Sequence, residues 1–238
     1  VGCACYCSFC ATGMMGFSRN LTTAEILDQV TQSNRVVRPE GRAIRNVVFM
    51  GMGEPLLNLD NVFAAVDALK AAPLFNLTGS RITVSTVGIP DAMNRFTSEF
   101  PDVQLALSLH SARQAARERL MPQARKYPLD ELREALVAAT ARGKVMIEYL
   151  MLAGVNDREE DYLALENYLK GLSVHVNIIP FNEFAGGDLR GTPFPERKRF
   201  AARLKAAGFD VTLRYSLGSD IAAACGQLVQ RKQKESVA

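Results

Sequence analysis

Long hydrophobic runs are missing from this sequence. The longest apolar stretches, such as Val47 to Met50 and Ile178 to Phe181, fall far short of the roughly 20 residues that a membrane-spanning helix needs. No membrane partner is therefore expected. No basic segment followed by an apolar stretch marks a secretory signal. The chain opens on Val1 and not on Met, so it is expected to be a fragment or a processed piece. With 17 glycines and 10 prolines in 238 residues, a collagen-like or wholly disordered chain is excluded. No Pro/Gly/Ser linker divides it. Cysteine is scarce and unevenly placed: Cys3, Cys5, Cys7 and Cys10 stand together, and Cys225 lies far away. Secreted disulfide scaffolds spread their cysteines along the chain. This clustering suits an intracellular set of thiolate ligands, and a cytoplasmic location is expected.

What is present begins with charge. A net charge of +3 is too small to identify a nucleic-acid partner by itself. Its distribution is more informative. Arg35, Arg38, Arg42 and Arg45 stand against Glu40, and Arg113, Arg117, Arg119, Arg125 and Lys126 against Glu118. Such patches suit a phosphate-facing surface, with an ordinary solvated face as the alternative.

Six candidate strands alternate with helical patterns: Asn46–Met50, Ile82–Thr86, Val103–His110, Val145–Leu150, Val174–Ile179 and Val211–Tyr215. Their spacing suits strand–helix–strand crossovers, hence a mostly parallel sheet. The helices have their own signals. Thr22 and Glu25 have capping-box spacing ahead of Ile26, Leu27 and Val30. Val62, Val66 and Leu69 mark a second helix, and Leu132 and Leu136 a later one. Asp157 and Glu160 are placed to cap a helix carrying Leu165 and Leu169, and Pro195 suits the first turn of one that runs to Gly208.

An open doubly wound sheet and a partial barrel both satisfy this alternation. Strand parity favours the barrel. Gln104, Ala106, Ser108 and His110 share one face, as do Thr83 and Ser85, and Glu148 lies with Met146 and Leu150. Faces this polar are unusual in a doubly covered parallel sheet, but they suit the lining of a cavity. Glu54, Ser85, His110, Asn182, Asp220 and Cys225 all come late in their units, where βα folds carry their sites.

Cys3, Cys7 and Cys10 have Cys-x3-Cys-x2-Cys spacing. Three thiolates so placed can hold a cuboidal iron–sulfur cluster and leave one iron open, whereas an electron carrier usually closes its cluster with a fourth cysteine. Cys5 could be that fourth ligand and make a structural zinc or closed iron–sulfur site. On the residues alone, both readings stand, beside unliganded or disulfide-bonded cysteines.

The motif, with an aromatic before its last cysteine, resembles the signature of the radical S-adenosylmethionine (SAM) superfamily. Further segments narrow the resemblance: Cys10-Ala-Thr-Gly-Met-Met-Gly-Phe17, Asn46-Val-Val-Phe-Met-Gly-Met-Gly-Glu-Pro55, Ser85-Thr-Val-Gly88, Leu107-Ser-Leu-His110, Ile147-Glu-Tyr149, Asn177-Ile-Ile-Pro-Phe-Asn182 and Asp220-Ile-Ala-Ala-Ala-Cys-Gly-Gln-Leu228. Together they are similar to the RNA adenine-C2 methyltransferases, whose C8-methylating resistance relatives share much of the pattern. The resemblance covers essentially the whole chain.

It implies an α/β partial (βα) barrel of the radical-SAM type with its first strand largely upstream of Val1. Residues 1–228 would be the catalytic domain and 229–238 a basic tail, with the family's N-terminal helical domain absent. It puts a [4Fe–4S] cluster on Cys3, Cys7 and Cys10, and S-adenosyl-L-methionine against Gly53, Glu54, Ser85, Ser108, Leu109, His110 and Asn182. Cys225 falls on the cysteine that becomes S-methylated. One cofactor molecule would methylate it, and a radical from a second would activate that methyl for addition to a flipped-out adenine of 23S ribosomal RNA or transfer RNA. Release requires a partner thiol, which the family carries a few residues before the first cluster ligand and so outside this chain. A disulfide bond is among the expected features, as are a low-potential electron donor of flavodoxin or ferredoxin type and a monomeric state. The chain departs from the family at Leu217, where Arg is usual, and at Ser111, where Ala is usual. The rival readings are C8 methylation and a non-catalytic iron–sulfur or zinc RNA-binding homologue or fragment.

Overall fold

Six strands form one parallel sheet in the computed structural model, which describes residues 1–184, 188–215 and 226–228. They are β1 (Val47–Phe49), β2 (Ile82–Thr86), β3 (Gln104–Ser108), β4 (Val145–Met151), β5 (Val174–Pro180) and β6 (Asp210–Leu213). Their spatial order is their chain order, and every adjacent pair is parallel. The helices between them are α1 (Thr23–Val37), α2 (Leu59–Lys70), α3 (Pro90–Glu99), α4 (Gln114–Leu120), α5 (Leu129–Thr140), α6 (Glu159–Leu169) and α7 (Phe194–Ala206). Among the described residues no helix is long and apolar enough to cross a membrane.

Sequential order decides between the two architectures that the sequence allows. Right-handed crossovers that always step the same way put every helix on one face, whereas a doubly wound sheet must reverse direction. The burial pattern agrees. Val84, Leu105, Leu107, Ile147, Val176 and Ile178 pack with Val66, Leu69, Phe96, Leu132, Leu165 and Leu204 of the helices in one core. Each such side chain contributes about 1.5–3 kcal/mol on full burial. The opposite face carries Val48, Thr83, Gln104, Glu148 and Asn177, and these line a cavity of about 550 Å³. Asn46 before β1 and Arg214 after β6 line the same cavity, so the two edge strands curve around one space. The result is the α/β partial barrel.

The capping box at Thr22 and Glu25 is present. At α6 the expected caps are corrected. The Asp161 carboxylate accepts the Arg158 N–H at 3.1 Å, while Asp157 accepts from the Gly154 N–H at 2.9 Å and the Thr192 hydroxyl at 2.8 Å. Glu160 turns instead to Arg113. β3 ends two residues before the expected His110, because His110 takes a left-handed φ of 55° and leaves the ladder. The Glu148 carbonyl still accepts both the Leu109 and His110 N–H groups, at 3.1 and 3.3 Å. The helices α3 and α4 lie outside the expected set, although Ala92, Met93 and Phe96 make a short apolar stripe on α3.

Candidate active site

The N-terminal cysteine loop sits across the sequence's two extremes. Gly2 bridges to Phe17, and the Cys3 N–H donates to the Gly16 carbonyl at 2.9 Å. Gly2 has φ +76°, and a Cβ there would stand 2.0 Å from the Gly16 oxygen, so only glycine fits this crossing. The Ser8 N–H donates to the Leu120 carbonyl at the end of α4, at 2.9 Å. The Ala11 N–H donates to the Gly226 carbonyl at 2.8 Å, and the Thr12 hydroxyl to the Leu228 carbonyl at 2.7 Å. Cys5 and Cys7 are buried against Leu120, Met121, Leu150 and Leu152.

All four described cysteines are free thiols. Among the described residues no three His, Cys, Asp or Glu side chains stand closed around a metal position. Their chemistry is nonetheless that of a ligand set. Burial, and then the neighbouring Cys3 and Cys10 sulfurs, push the Cys7 thiol up. A metal shared by the three would relieve that repulsion and favour the thiolates. A hydrogen bond from Cys5 lowers the Cys3 thiol to about 6, and the same contact together with burial pushes Cys5 up. Soft thiolates in this number suit an iron–sulfur group, with Cys3, Cys7 and Cys10 as the residues that would hold it.

The residues expected around the cofactor divide between two hollows and the strand ends. Gly53 and Glu54 line a cavity with Cys3, between the cysteine loop and β1. Gly53 has φ +117°, with the Gly2 carbonyl 3.5 Å from where a Cβ would stand. Cys10 and Asn182 line the inner cavity on the polar face of the sheet. Ser85 and Ser108 are half-buried near the ends of β2 and β3, Leu109 is fully buried, and none of the three lines either hollow.

Glu54 closes the turn that follows β1. Its oxygens accept the Leu56 N–H at 3.0 Å and the Val87 N–H at 2.8 Å, which ties the ends of β1 and β2 together. Burial raises its carboxyl to about 7 against these bonds. His110 is held by contacts that no motif announced. Its Nδ1 accepts the Leu150 N–H at 3.1 Å, its ring meets Phe9 edge-on at 4.7 Å, and the Asn156 amide donates to its carbonyl at 2.6 Å. Asn156 also binds the Leu150 carbonyl and the Leu152 N–H, at 2.7 Å each, and is fully buried. Burial and the nearby Arg117 depress the His110 imidazole to about 3, so it is neutral. On the inner face Asn177 donates to Glu148 at 2.9 Å and Thr83 to Gln104 at 3.2 Å. Burial raises the Glu148 carboxyl.

The two arginine segments part company. Arg35, Arg38, Arg42 and Arg45 are exposed, as are Arg119, Arg125 and Lys126. Arg113 and Arg117 are corrections to the expected phosphate-facing set. Arg113 is held by Glu160 and by the buried Asp161. Arg117 is 1% exposed and points inward to the Val87 and Leu109 carbonyls. α4 buries Ala116, Arg117 and Leu120 on one side, beneath the cysteine loop, while Arg113 precedes its first turn and faces α6. Cys225 and Asp220, and the basic tail, lie outside the described residues.

The family model of the radical SAM superfamily matches residues 1–165. A probable RNA methyltransferase of Rhodopirellula baltica is 47% identical over 99% of this chain and 63% of its own length. A probable dual-specificity RNA methyltransferase of Thermus thermophilus is 47% identical over 96% of this chain and 65% of its own. The chain thus spans slightly less than two thirds of the length of these curated relatives. The crystal structure of a radical SAM methyltransferase from Sphaerobacter thermophilus superposes with a TM-score of 0.92 at 42% identity, covering 95% of this chain and 67% of that one. With the cysteine loop set at the strand ends of a curved parallel sheet, the chain belongs to the radical SAM superfamily and, within it, to the dual-specificity RNA methyltransferase family.

Proposed function

We propose that this chain is the catalytic part of a methyltransferase that modifies carbon 2 of adenosine in 23S ribosomal RNA, with transfer RNA as a second substrate, through an S-methylated Cys225. The observation that carries this reading is a contact between the chain's extremes. Gly226, the residue after Cys225, accepts the N–H of Ala11, the residue after Cys10. A methyl-carrying thiol and a cluster ligand are next in sequence to two residues that touch. The names of the relatives, RNA methyltransferases, support the substrate class.

Carbon 2 of adenine is electron-poor and not nucleophilic; a [4Fe–4S] cluster and S-adenosylmethionine, when bound, supply the radical chemistry that such a C–H carbon requires. The chain's own residues hold and shape. Cys3, Cys7 and Cys10 bind the cluster. Gly53, Glu54, Ser85, Ser108, Leu109, His110 and Asn182 receive the cofactor. The Glu54 oxygens keep lone pairs free for an ammonium group after accepting their backbone N–H groups. The neutral His110 accepts at Nδ1 and so carries its proton on Nε2, ready to donate. The inner cavity, lined by Thr83, Gln104, Glu148, Asn177 and Arg214, offers donors and acceptors to the edge of an extruded base. Arg35, Arg38, Arg42 and Arg45, with Arg119, Arg125 and Lys126, contact phosphates. A flavodoxin or ferredoxin type of donor in the cytoplasm delivers the electron.

The test is anaerobic reconstitution followed by incubation with methyl-labelled S-adenosylmethionine. Label on the Cys225 peptide of the loaded chain, absent from Cys225→Ala, is expected; an unlabelled Cys225 sinks the covalent reading. Nucleoside analysis of RNA treated with the full-length protein then separates 2-methyladenosine from the 8-methyl product. One observation favours the rival closed site: the contact between Cys3 and the buried Cys5. Zinc at one per chain, with no iron, would establish it.

A further inference from the structure

Arg117 is the one residue of the second arginine segment whose charge is buried outright. Its Nε donates to the Leu109 carbonyl at 3.3 Å and its Nη2 to the Val87 carbonyl. Those carbonyls follow β3 and β2, so the guanidinium straps together the two strand ends that carry Ser108–His110 and Ser85–Val87. Among the described residues it has no carboxylate partner. Removing a cation from water without an anion costs several kcal/mol, so folds normally pair such charges. His110 and Tyr168 lie within reach of its charge, and Val87, whose carbonyl it binds, packs against the apolar cluster that holds Cys5 and Cys7. His110 is neutral, and burial holds Tyr168 as a phenol. The cysteine loop is the remaining candidate for negative charge. The environment supports this: Val87 packs against that loop, and α4, which carries Arg117, ends on the carbonyl that receives the Ser8 N–H.

We propose that Arg117 is the internal counter-charge of the cysteine loop, a positioning residue that straps β2 to β3 and favours one-electron reduction of the iron–sulfur group held by Cys3, Cys7 and Cys10. The inference rests on the cluster reading given above. Three thiolates make that group anionic, and each electron accepted adds one more negative charge. A fixed cation in a low-dielectric setting stabilises the more negative state more strongly.

The wild-type chain, Arg117→Lys and Arg117→Met are reconstituted anaerobically, assayed for iron and sulfide, and titrated with dithionite under electron paramagnetic resonance. Arg117→Met is expected to shift the midpoint potential to more negative values, and Arg117→Lys, which keeps the charge, to restore it toward wild type. Thermal unfolding of the same chains with and without iron gives a second reading. Loading should raise the melting temperature of the wild type more than that of Arg117→Met. An Arg117→Met chain with full iron content and an unshifted potential overturns the proposal. So does an equal loss of stability in its iron-free and loaded forms, or failure to fold without iron, since each assigns Arg117 to scaffolding alone. A wild-type chain that binds zinc or no iron defeats the cluster reading, and the Arg117 proposal with it.

Discussion

Residues 31–46 and 111–126 look alike in the sequence, each an arginine-rich stretch with a single glutamate. In the fold they do opposite things. The first lies along α1 and the turn after it, its four arginines in solvent. The second threads beneath the cysteine loop, where Arg117 is buried, Arg113 is clamped by acids, and Leu120 packs on Cys5 and Cys7. Local charge density therefore says little about where a charge goes. Both helices bury one side, Val30 in α1 and Ala116, Arg117 and Leu120 in α4, and what decides is the side on which an arginine falls.

The sharpest way to break this comparison is to delete matched apolar groups. Leu120→Ala should cost about 2–5 kcal/mol in denaturant unfolding, because Leu120 is 2% exposed in a packed cluster. Val36→Ala, at a position 74% exposed, should stay within about 0.5 kcal/mol. Similar losses at both sites would mean that the first segment is packed as well.

Glu54 extends the contrast to a buried anion. Its carboxyl is raised to about 7 from an ordinary value near 4.5, so the folded chain holds a proton that the unfolded chain has already released. Its contribution is full below about pH 4.5 and is lost as pH rises through 7, a difference of about 3 kcal/mol. His110 runs the other way. Its depressed value near 3 gives stability above about pH 6.5 that is lost as pH falls. Urea titrations at several pH values should therefore show that Glu54→Gln gains relative to wild type between pH 4.5 and 7. A constant difference across that range would place the charge elsewhere.

Smaller effects separate the arginines themselves. Arg113→Ala should destabilise by about 1–3 kcal/mol, since it leaves the buried Asp161 with only the Arg158 N–H and no cation. It should leave the salt dependence of RNA binding untouched. Joint replacement of Arg38 and Arg42 by alanine should do the reverse: stability within about 0.5 kcal/mol, and a log–log salt slope shallower by roughly 1.4–1.8. Filter-binding or fluorescence titrations across salt concentrations measure it. An unchanged slope would return the first segment to an ordinary solvated face.

Much of this molecule could be read before it was folded. The six strands, the capping box at Thr22 and the polar parity of Thr83, Gln104 and Glu148 follow from rules that act within one element. So does the cysteine spacing. Asn156 and Arg117 escaped because their roles exist only across elements: one locks His110 to β4, the other straps β2 to β3. The helices α3 and α4 escaped for a local reason: Pro90 starts α3 at a position where proline also opens turns, and α4 has only seven residues in which to show a period.

The sequence by itself determined the alternation of strands and helices, the polar lining of one sheet face and the clustering of four cysteines within residues 3 to 10. Periodicity and side-chain type act over a few residues and survive in any context. Only the tertiary structure decided that the sheet steps in one direction around a cavity, that Gly226 lies against Ala11, and which arginines meet solvent. Those outcomes depend on which surfaces exclude water from one another, and that is a property of the assembled chain.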